Sequence, residues 1–543
     1  MSTSNNGQTP ATTFHAEKAA TAHVEEQLGH GAAVDAKHAS DAEHAMTFWA
    51  ALRSHKKAVF WSMVISMTIV MEGYDTILIN NFFAFPSFQR RYGQYTEEHG
   101  WLLTGPWQAG LTNASVCGTI IGAFINGYVT AKFGYRLTLV GALFFMNAFI
   151  FITFFAQNIQ TLLVGQILCG IPWGVFATSA PAYASEICPM ILRGYLTVYV
   201  NLCWAIGQFI AAGVLQGCLE LTNHWGYRIP FAVQWVWPVP LLVAIFFAPE
   251  SPWYLVRTDR LDEAKRMLQR LSDKATTDEI NGTLAMLVHT VKIEQDTTAG
   301  TSYWHCFRGV DLRRTEICCV TFAGQVLSGS TFAYAPTYFF TQAGIDTANA
   351  YKLNLGGTAM AFLGTVLSWF LITWFGRRTL YLTGQASLAT LLVLIGILSA
   401  ATDSGAGLWA QAALAMIWLF VYSLTVGPIA YAIVSETSSV RLRAQTVVLA
   451  RNTYQVTNII SGVLNPYMLN PNEWGWSGKS GFFWAGTAGL TALWAFFRLP
   501  EAKGRTYEEM DIMFSRGVSA RNFSKYHVDA YATEVDATRE RKA

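Results

Sequence analysis

Two carboxylates stand in the middle of a long apolar run near the start of the chain. Glu72 and Asp75 lie within 58–85, a stretch long enough to cross a lipid bilayer. An ionisable side chain at that depth costs roughly 2.5–3.5 kcal/mol on insertion, so it usually marks a function. Three residues apart on a helix, the acids share one face, and two like charges so close together favour a proton on at least one of them. The pair predicts a proton site; two structural carboxylates bonded to neighbouring helices are the alternative.

The composition places these acids in a polytopic membrane protein. Of 543 residues, 52% are hydrophobic and only 13% are charged, about half the usual charged share. Twelve apolar segments predict an all-α membrane protein with two six-helix bundles around a cytoplasmic helical insert. The predicted spans are 58–85, 101–128, 138–156, 160–184, 196–217, 229–247, 315–342, 350–374, 379–401, 409–434, 446–468 and 480–498.

Charge and polarity divide the chain into five expected units. Ten Lys and Arg residues between Arg257 and Arg314 predict that the insert and both termini are cytoplasmic. The polar N-terminal region favours a disordered tail over a metal-binding or pH-sensing stripe of histidines, although it contains His15, His23, His30, His38 and His44. The expected units are an N-terminal tail (1–57), a first bundle (58–248), a linker with short helices (249–314), a second bundle (315–499) and a C-terminal tail (500–543).

Several classes of function are excluded or disfavoured. The net charge of +2 gives no reason to expect a nucleic-acid partner. Eight cysteines, mostly within apolar segments, lack the spacing of a disulfide framework or metal cluster. No phosphate-binding Gly-x-x-x-x-Gly-Lys-Ser/Thr motif is present, which argues against an ATP-driven pump. With no nucleophile-base pair, we do not expect an enzyme, and we expect no cofactor. We expect the protein to be a monomer embedded in the lipid bilayer.

Two similar motifs, one in each half, place an acid seven residues before an arginine. PAYASEICPMILRG carries Glu186 and Arg193, and GPIAYAIVSETSSVRLR carries Glu436 and Arg443. The recurrence indicates an internal duplication. Acid and base at inner helix ends predict a gate that locks neighbouring helices together when the inner side closes. The alternative is a static surface pair, worth under about 1 kcal/mol.

These motifs resemble the sugar porter family of the major facilitator superfamily. GYDT, PAYASEICPMILRG, PESPWYL, GRR and PEAKGRTYEEMD occur in the family's order over about 58–515. MEGYDTILINNFFAFPSFQRRYG, GQILCGIPWG and TYFF are similar to the fungal maltose or α-glucoside permease branch. The resemblance implies sugar:proton symport across the plasma membrane by alternating access, with an α-glucoside such as maltose as substrate. Another disaccharide, a hexose, a facilitator without proton coupling and a transporter-like sugar sensor remain alternatives.

The resemblance also implies roles for individual residues. Proton coupling is expected at Asp75 together with Glu72, and Arg377 and Arg378 join the gate. A hydroxyl-rich ligand needs amides and an aromatic face, although each such residue could equally be an interhelical contact. The positions carried over for sugar binding are Gln208, Asn201, Gln325, Thr331, Tyr431 and Asn458.

The chain departs from the family pattern at three places. Ala131 and Thr373 stand where the loops after helices 2 and 8 normally carry an acid, so we expect looser gates or substitute contacts. Gln166 stands where proton-coupled members have an arginine facing the aspartate that corresponds to Asp75. Arg451 is the alternative cation, with Glu72 or Asp75 as its partner; an arginine that reaches water at its helix end is the competing interpretation.

Overall fold

The structure is a computed structural model that describes residues 48–97, 100–272, 276–298, 303–334, 336–401, 405–439, 442–503 and 507–526. The five N-terminal histidines lie outside these residues. Within them the chain is almost entirely helical. The one strand pair is a short antiparallel hairpin of β1 (Gln94–Thr96) and β2 (Gly100–Leu102), in which Tyr95 pairs with Trp101.

Helices occupy all six predicted spans of the first half. The first span consists of two consecutive helices, and the second and third form one run that is broken at Gly134, whose φ of 82° suits glycine. The helices are α1 (Phe48–Ser54), α2 (Lys56–Ser66), α3 (Thr68–Phe82), α4 (Pro86–Tyr92), α5 (Gly105–Phe154), α6 (Ile159–Ile187), α7 (Met190–Cys218), α8 (Trp225–Val233) and α9 (Pro238–Phe246).

Three α-helices lie in the insert, and the remaining helices occupy the six predicted spans of the second half and the region after them. The insert helices are α10 (Pro252–Arg257), α11 (Leu261–Leu271) and α12 (Thr277–Thr298). The helices of the second half are α13 (Gly309–Leu327), α14 (Ser330–Ala333), α15 (Pro336–Gln342), α16 (Thr347–Trp374), α17 (Arg377–Ala401), α18 (Gly405–Leu424), α19 (Val426–Thr437), α20 (Arg443–Leu469) and α21 (Ser480–Arg498), followed by α22 (Tyr507–Ser515).

The helices confirm the all-α membrane fold. In the described part of the chain, eight helical runs are long and apolar enough to cross a membrane, and one of them, Gly105–Phe154, contains two predicted spans. A ninth results if the pair Gly309–Ala333 and Pro336–Gln342, bent by 46°, is one span. The helices α20 and α21 occupy the last two predicted spans without meeting that test, and α20 carries Arg443, Arg451 and several amides.

Close backbone contact holds the acid-bearing helix α3 against α7. A Cβ atom added at Gly73 would overlap the backbone of Trp204, and one added at Gly207 would overlap the backbone of Val70. Small residues at such crossings let two helices approach closely inside a membrane. The position of Asp75 relative to α7 is therefore set by backbone packing.

The two halves meet at the face of the bundle opposite the insert helices. There, Tyr351 donates to the carbonyl of Asn81 at 2.5 Å, and Gln108 donates to the Tyr338 hydroxyl at 3.0 Å. In addition, the Asn470 amide donates to a carbonyl of the first half at 2.8 Å. All three bonds join one half to the other, so this face is closed.

Candidate functional site

A central cavity lies between the two halves and contains every residue predicted to bind sugar or protons. It offers a volume of about 160 Å³ to water-sized molecules and receives side chains from helices of both halves. The structure thus brings together nine residues that were predicted from separate motifs. They are Glu72, Asp75, Asn201, Gln208, Gln325, Thr331, Tyr431, Arg451 and Asn458.

One amide, and in the described part of the chain no ion pair, holds Asp75. Its Oδ1 accepts a 2.6 Å hydrogen bond from the side chain of Gln234, and both residues are buried. Gln234 lies in a short 3-10 turn that separates α8 from α9, so this break in the sixth span presents the amide to α3. Gln166, also buried, lies beside the same carboxyl group, but its amide makes no hydrogen bond to the residues described. Asp75 therefore has neutral amides as neighbours where the family pattern has a cation.

Glu72 and Arg451 face the cavity from opposite halves. The guanidinium of Arg451 donates to the hydroxyl of Tyr431 at 3.2 Å and lies 4.8 Å from the ring centre of Tyr454. Glu72 lies near Trp204 and within the electrostatic influence of Arg451. No ion pair within 4.0 Å links Glu72 and Arg451 in the described residues. The arginine thus lies in the cavity wall among tyrosines, and its interaction with the acid acts across the cavity.

Three of the predicted sugar-binding amides are available to a ligand. The side chains of Asn201, Gln208 and Asn458 line the cavity and make no hydrogen bond to any residue that the structure describes. By contrast, Gln325 donates to the carbonyl of Gly427 at 2.7 Å.

Two further predicted sugar-binding residues complete the wall of the central cavity. The hydroxyl of Thr331 bonds that of Ser461. Tyr431 supplies a partly exposed aromatic face, with its ring edge-on to Phe322. Together with the available amides, these side chains supply the donors, acceptors and apolar face that a hydroxylated ligand needs.

In the first half, the predicted gate acid Glu186 binds an arginine of the insert. It accepts from Arg257 at 2.9 Å and from the hydroxyls of Tyr135 and Ser251. The side chain of Arg193 lies outside the described part of the structure. A loop separates α6 from α7, so the seven-residue spacing does not place acid and arginine on one continuous helix face.

The second half repeats this arrangement. Glu436 forms a bidentate ion pair with Arg377, at 2.8 Å from Nη2 and 3.0 Å from Nε. Arg378 donates to the carbonyl of Phe496 at 2.8 Å, and Arg443 begins α20. Arg377, predicted as a gate residue from the GRR motif, is a partner of Glu436 in this conformation.

Two further acids, to which the sequence analysis gave no role, cap the loops that lack the family carboxylate. Glu250 accepts from the backbone N–H groups of Tyr135 at 2.9 Å and Arg136 at 3.1 Å. Glu501 accepts from the backbone N–H of Arg377 at 2.8 Å. Burial raises the pKa of Glu250, while its amide donors oppose that rise. Both acids thus bind the backbone of the loops in which Ala131 and Thr373 replace the family acid, and the Pro-Glu pair after the last span of each half was the available signal.

The chain matches the family model described as "Sugar (and other) transporter" over residues 61–514 and belongs to this family. Maltose permease MAL31 of Saccharomyces cerevisiae is 41% identical over 513 residues, which cover 93% of this chain and 83% of that protein. Alpha-glucosides permease MPH3 of the same yeast is 42% identical over 509 residues, covering 92% of this chain and 84% of that protein.

Solved structures share the fold. The proton:xylose symporter XylE bound to 6-bromo-6-deoxy-D-glucose aligns with a TM-score of 0.68 at 19% identity, covering 85% of this chain and all of that one. An inward open conformation of XylE from E. coli aligns with a TM-score of 0.61 at 20% identity, covering 83% and 98% of the two chains. The predicted major facilitator fold is thereby confirmed, and the protein is a multi-pass membrane transporter.

Proposed function

We propose that this protein is a proton-coupled transporter that carries an α-glucoside such as maltose into the cell across the plasma membrane. The observation that carries the proposal is the central cavity, in which two buried acids and a set of available amides face each other between the two halves. Relatives named as maltose and alpha-glucosides permeases, at 41–42% identity, support the substrate class.

In this proposal the insert face is cytoplasmic. The ten Lys and Arg residues from Arg257 to Arg314 favour that side for the insert, and the even number of predicted spans then puts both termini there as well. The face closed by Tyr351 and Gln108 is extracellular. The conformation described above is then inward-facing, with the sugar site shut off from the outside.

Asp75 binds the transported proton, and the nearby charge of Glu72 changes how readily Asp75 is protonated. A proton taken from the acidic outside removes a buried charge and favours the state that binds sugar between the halves. When the insert face opens, water enters the cavity and the carboxyl group releases its proton to the cytoplasm. The neutral amides around Asp75 suit this role, because they stabilise the anion without fixing it permanently as a cation would.

The charged residues of the insert face form the gate of the opposite state. In the present conformation Glu186 binds Arg257 of the insert, and Glu436 binds Arg377 of its own half. We assign to these two clusters, with Arg193, Arg378 and Arg443, the contacts that hold the halves together when this face closes. Transport then exchanges hydrogen bonds at the extracellular face for charged contacts at the cytoplasmic one.

Uptake by intact cells tests the proposal. Labelled maltose, cellobiose, lactose and glucose would be offered at pH 5 and pH 7.5 to yeast that lacks its own sugar permeases, with and without a protonophore. Accumulation of maltose that collapses with protonophore is expected. Uptake that only equilibrates would contradict proton coupling, and accumulation of another sugar alone would contradict the substrate class. A protein present at the cell surface that moves none of these sugars would point to a sensor.

A further inference from the structure

A second, smaller cavity lies between the two halves, on the side of the central cavity away from the insert. Its volume is about 30 Å³, and its wall includes Gln108, Tyr338 and Asn465. Asn80, Thr112 and Thr331 line both cavities. The two cavities are therefore neighbours along the axis of the bundle.

The helices that build the central cavity continue past this second one. On α20, Asn458 lines the central cavity and Asn465 lines the second, seven residues further along the same face. This separation corresponds to about 10.5 Å along the helix axis. On α5, Thr112 borders both cavities and Gln108 stands one turn beyond it. Polar side chains thus follow the route from the central cavity toward the closed face.

Two buried acceptors in the second cavity lack a donor. The side-chain oxygens of Gln108 and Asn465 have no hydrogen-bond partner among the residues described, although only 1% and 5% of these residues is exposed. Their nitrogens are engaged: Gln108 donates to Tyr338 at 3.0 Å, and Asn465 donates to the carbonyl of Thr331 at 3.2 Å. A buried acceptor without a donor is unfavourable, so both oxygens can accept a hydrogen bond from a ligand hydroxyl.

We propose that the second cavity is the closed form of a hydroxyl-binding subsite for the second ring of a two-ring sugar. The inference rests on the transport function proposed above and adds a location for the outer ring. When the extracellular face opens, Gln108 and Asn465 accept hydrogen bonds from that ring, while Phe83 and Tyr338 offer it aromatic walls. In the closed form about 30 Å³ suffices for water but excludes a sugar ring.

The subsite predicts that two-ring and one-ring substrates respond differently to the same substitution. Initial rates of uptake of maltose and of methyl α-glucoside, which has a single ring, would be measured for Gln108→Met and Asn465→Leu. The KM for maltose should rise about five-fold for each lost hydrogen bond. The KM for methyl α-glucoside should stay at the wild-type value, because that sugar occupies the central cavity alone.

Gln411→Met serves as the matched control. Gln411 is another buried amide whose oxygen lacks a partner among the described residues, but it lies within the second half beside Gly478. Neither KM should change in this variant. The ratio of the two KM values is taken within each variant, and surface expression is quantified, so a partial folding defect does not imitate the effect.

Two results would overturn the subsite. Equal rises in both KM values would mean that Gln108 and Asn465 act only in closing the extracellular face. Unchanged KM values would mean that the cavity holds ordered water only. If the proposed transport function itself is wrong, the wild-type protein will transport neither sugar. That result is distinct from the two results that would overturn the subsite.

Discussion

Gln234 donates a 2.6 Å hydrogen bond to the carboxylate of Asp75, although the two residues are 159 positions apart and lie on the sixth and first predicted spans. The contact exists because a 3-10 turn interrupts the sixth span at Gln234 and turns its amide toward α3. This hydrogen bond connects the carboxylate of Asp75 to the sixth span of the same half.

Removing this donor should change the pH dependence of transport. Gln234→Leu deprives the ionised carboxylate of its hydrogen bond, so the protonated form is favoured. If protonation from outside limits uptake, the alkaline decline of sugar uptake should move to higher pH by roughly half to one unit, equivalent to about 1 kcal/mol. The measurement is the initial uptake rate from pH 4.5 to 8. An unchanged profile with reduced rate at every pH would show that Gln234 is only structural.

Neutralising the acid itself should separate exchange from accumulation. Asp75→Asn keeps the shape of the side chain but cannot bind and release a proton, so concentrative uptake should be abolished while exchange across equal sugar concentrations persists. Counterflow and net uptake in the same cells provide the measurement. Asp346→Asn, an exposed aspartate at the extracellular face in our orientation, is the control and should behave like wild type. Concentrative uptake by Asp75→Asn would remove Asp75 from the coupling mechanism.

The cation across the cavity should influence coupling through its charge. Arg451→Ala leaves Glu72 without a facing positive charge, and we expect sugar-induced alkalinisation of the medium to fall at least ten-fold. Arg451→Lys should restore part of it, because the charge returns although the contact with Tyr431 differs. Full proton-coupled uptake by Arg451→Ala would refute this role.

The loop cap at the insert face should contribute to stability. Glu250→Ala removes the acceptor of two backbone N–H groups and should cost about 1–2 kcal/mol, as loss of a helix cap does. Thermal unfolding in detergent is the readout. Glu263→Ala is the control, since its ion pair with Arg260 is half-exposed and should be worth less than about 1 kcal/mol. Equal Tm shifts for the two variants would contradict a capping role.

The positions carried over from the family resemblance line one cavity, because helix order and helical phase are encoded locally. Asn201, Gln325 and Asn458 came from separate motifs, and each needed only the right span and the right face to reach the cavity. Apolar length likewise placed the twelve helical segments. The prediction was therefore most successful where one side chain on one regular helix decided the outcome.

Partner choice between distant elements was beyond such reasoning. Nothing in the spacing of Glu186 indicates that Arg257, from the insert, would reach it. Gln234, like Asp75, is a polar side chain within an apolar span, and it could have been noticed for that reason. However, the 3-10 turn that directs its amide toward Asp75 depends on how α8 and α9 pack. The broken geometry of the first and seventh spans also escaped prediction, because hydrophobicity does not record a change of helix direction.

The attachment of Glu72 to one half and of Arg451 to the other has a thermodynamic consequence. Because Gly73 fixes α3 to α7, the acid moves with the first bundle, whereas the arginine moves with α20 in the second. Any ligand that changes the separation of the halves thus changes the electric field at the acid. Linkage is reciprocal, so the factor by which bound sugar strengthens proton binding equals the factor by which the proton strengthens sugar binding. In the transport mechanism proposed above, the proton gradient and the sugar gradient of the cell would then act on one and the same distance.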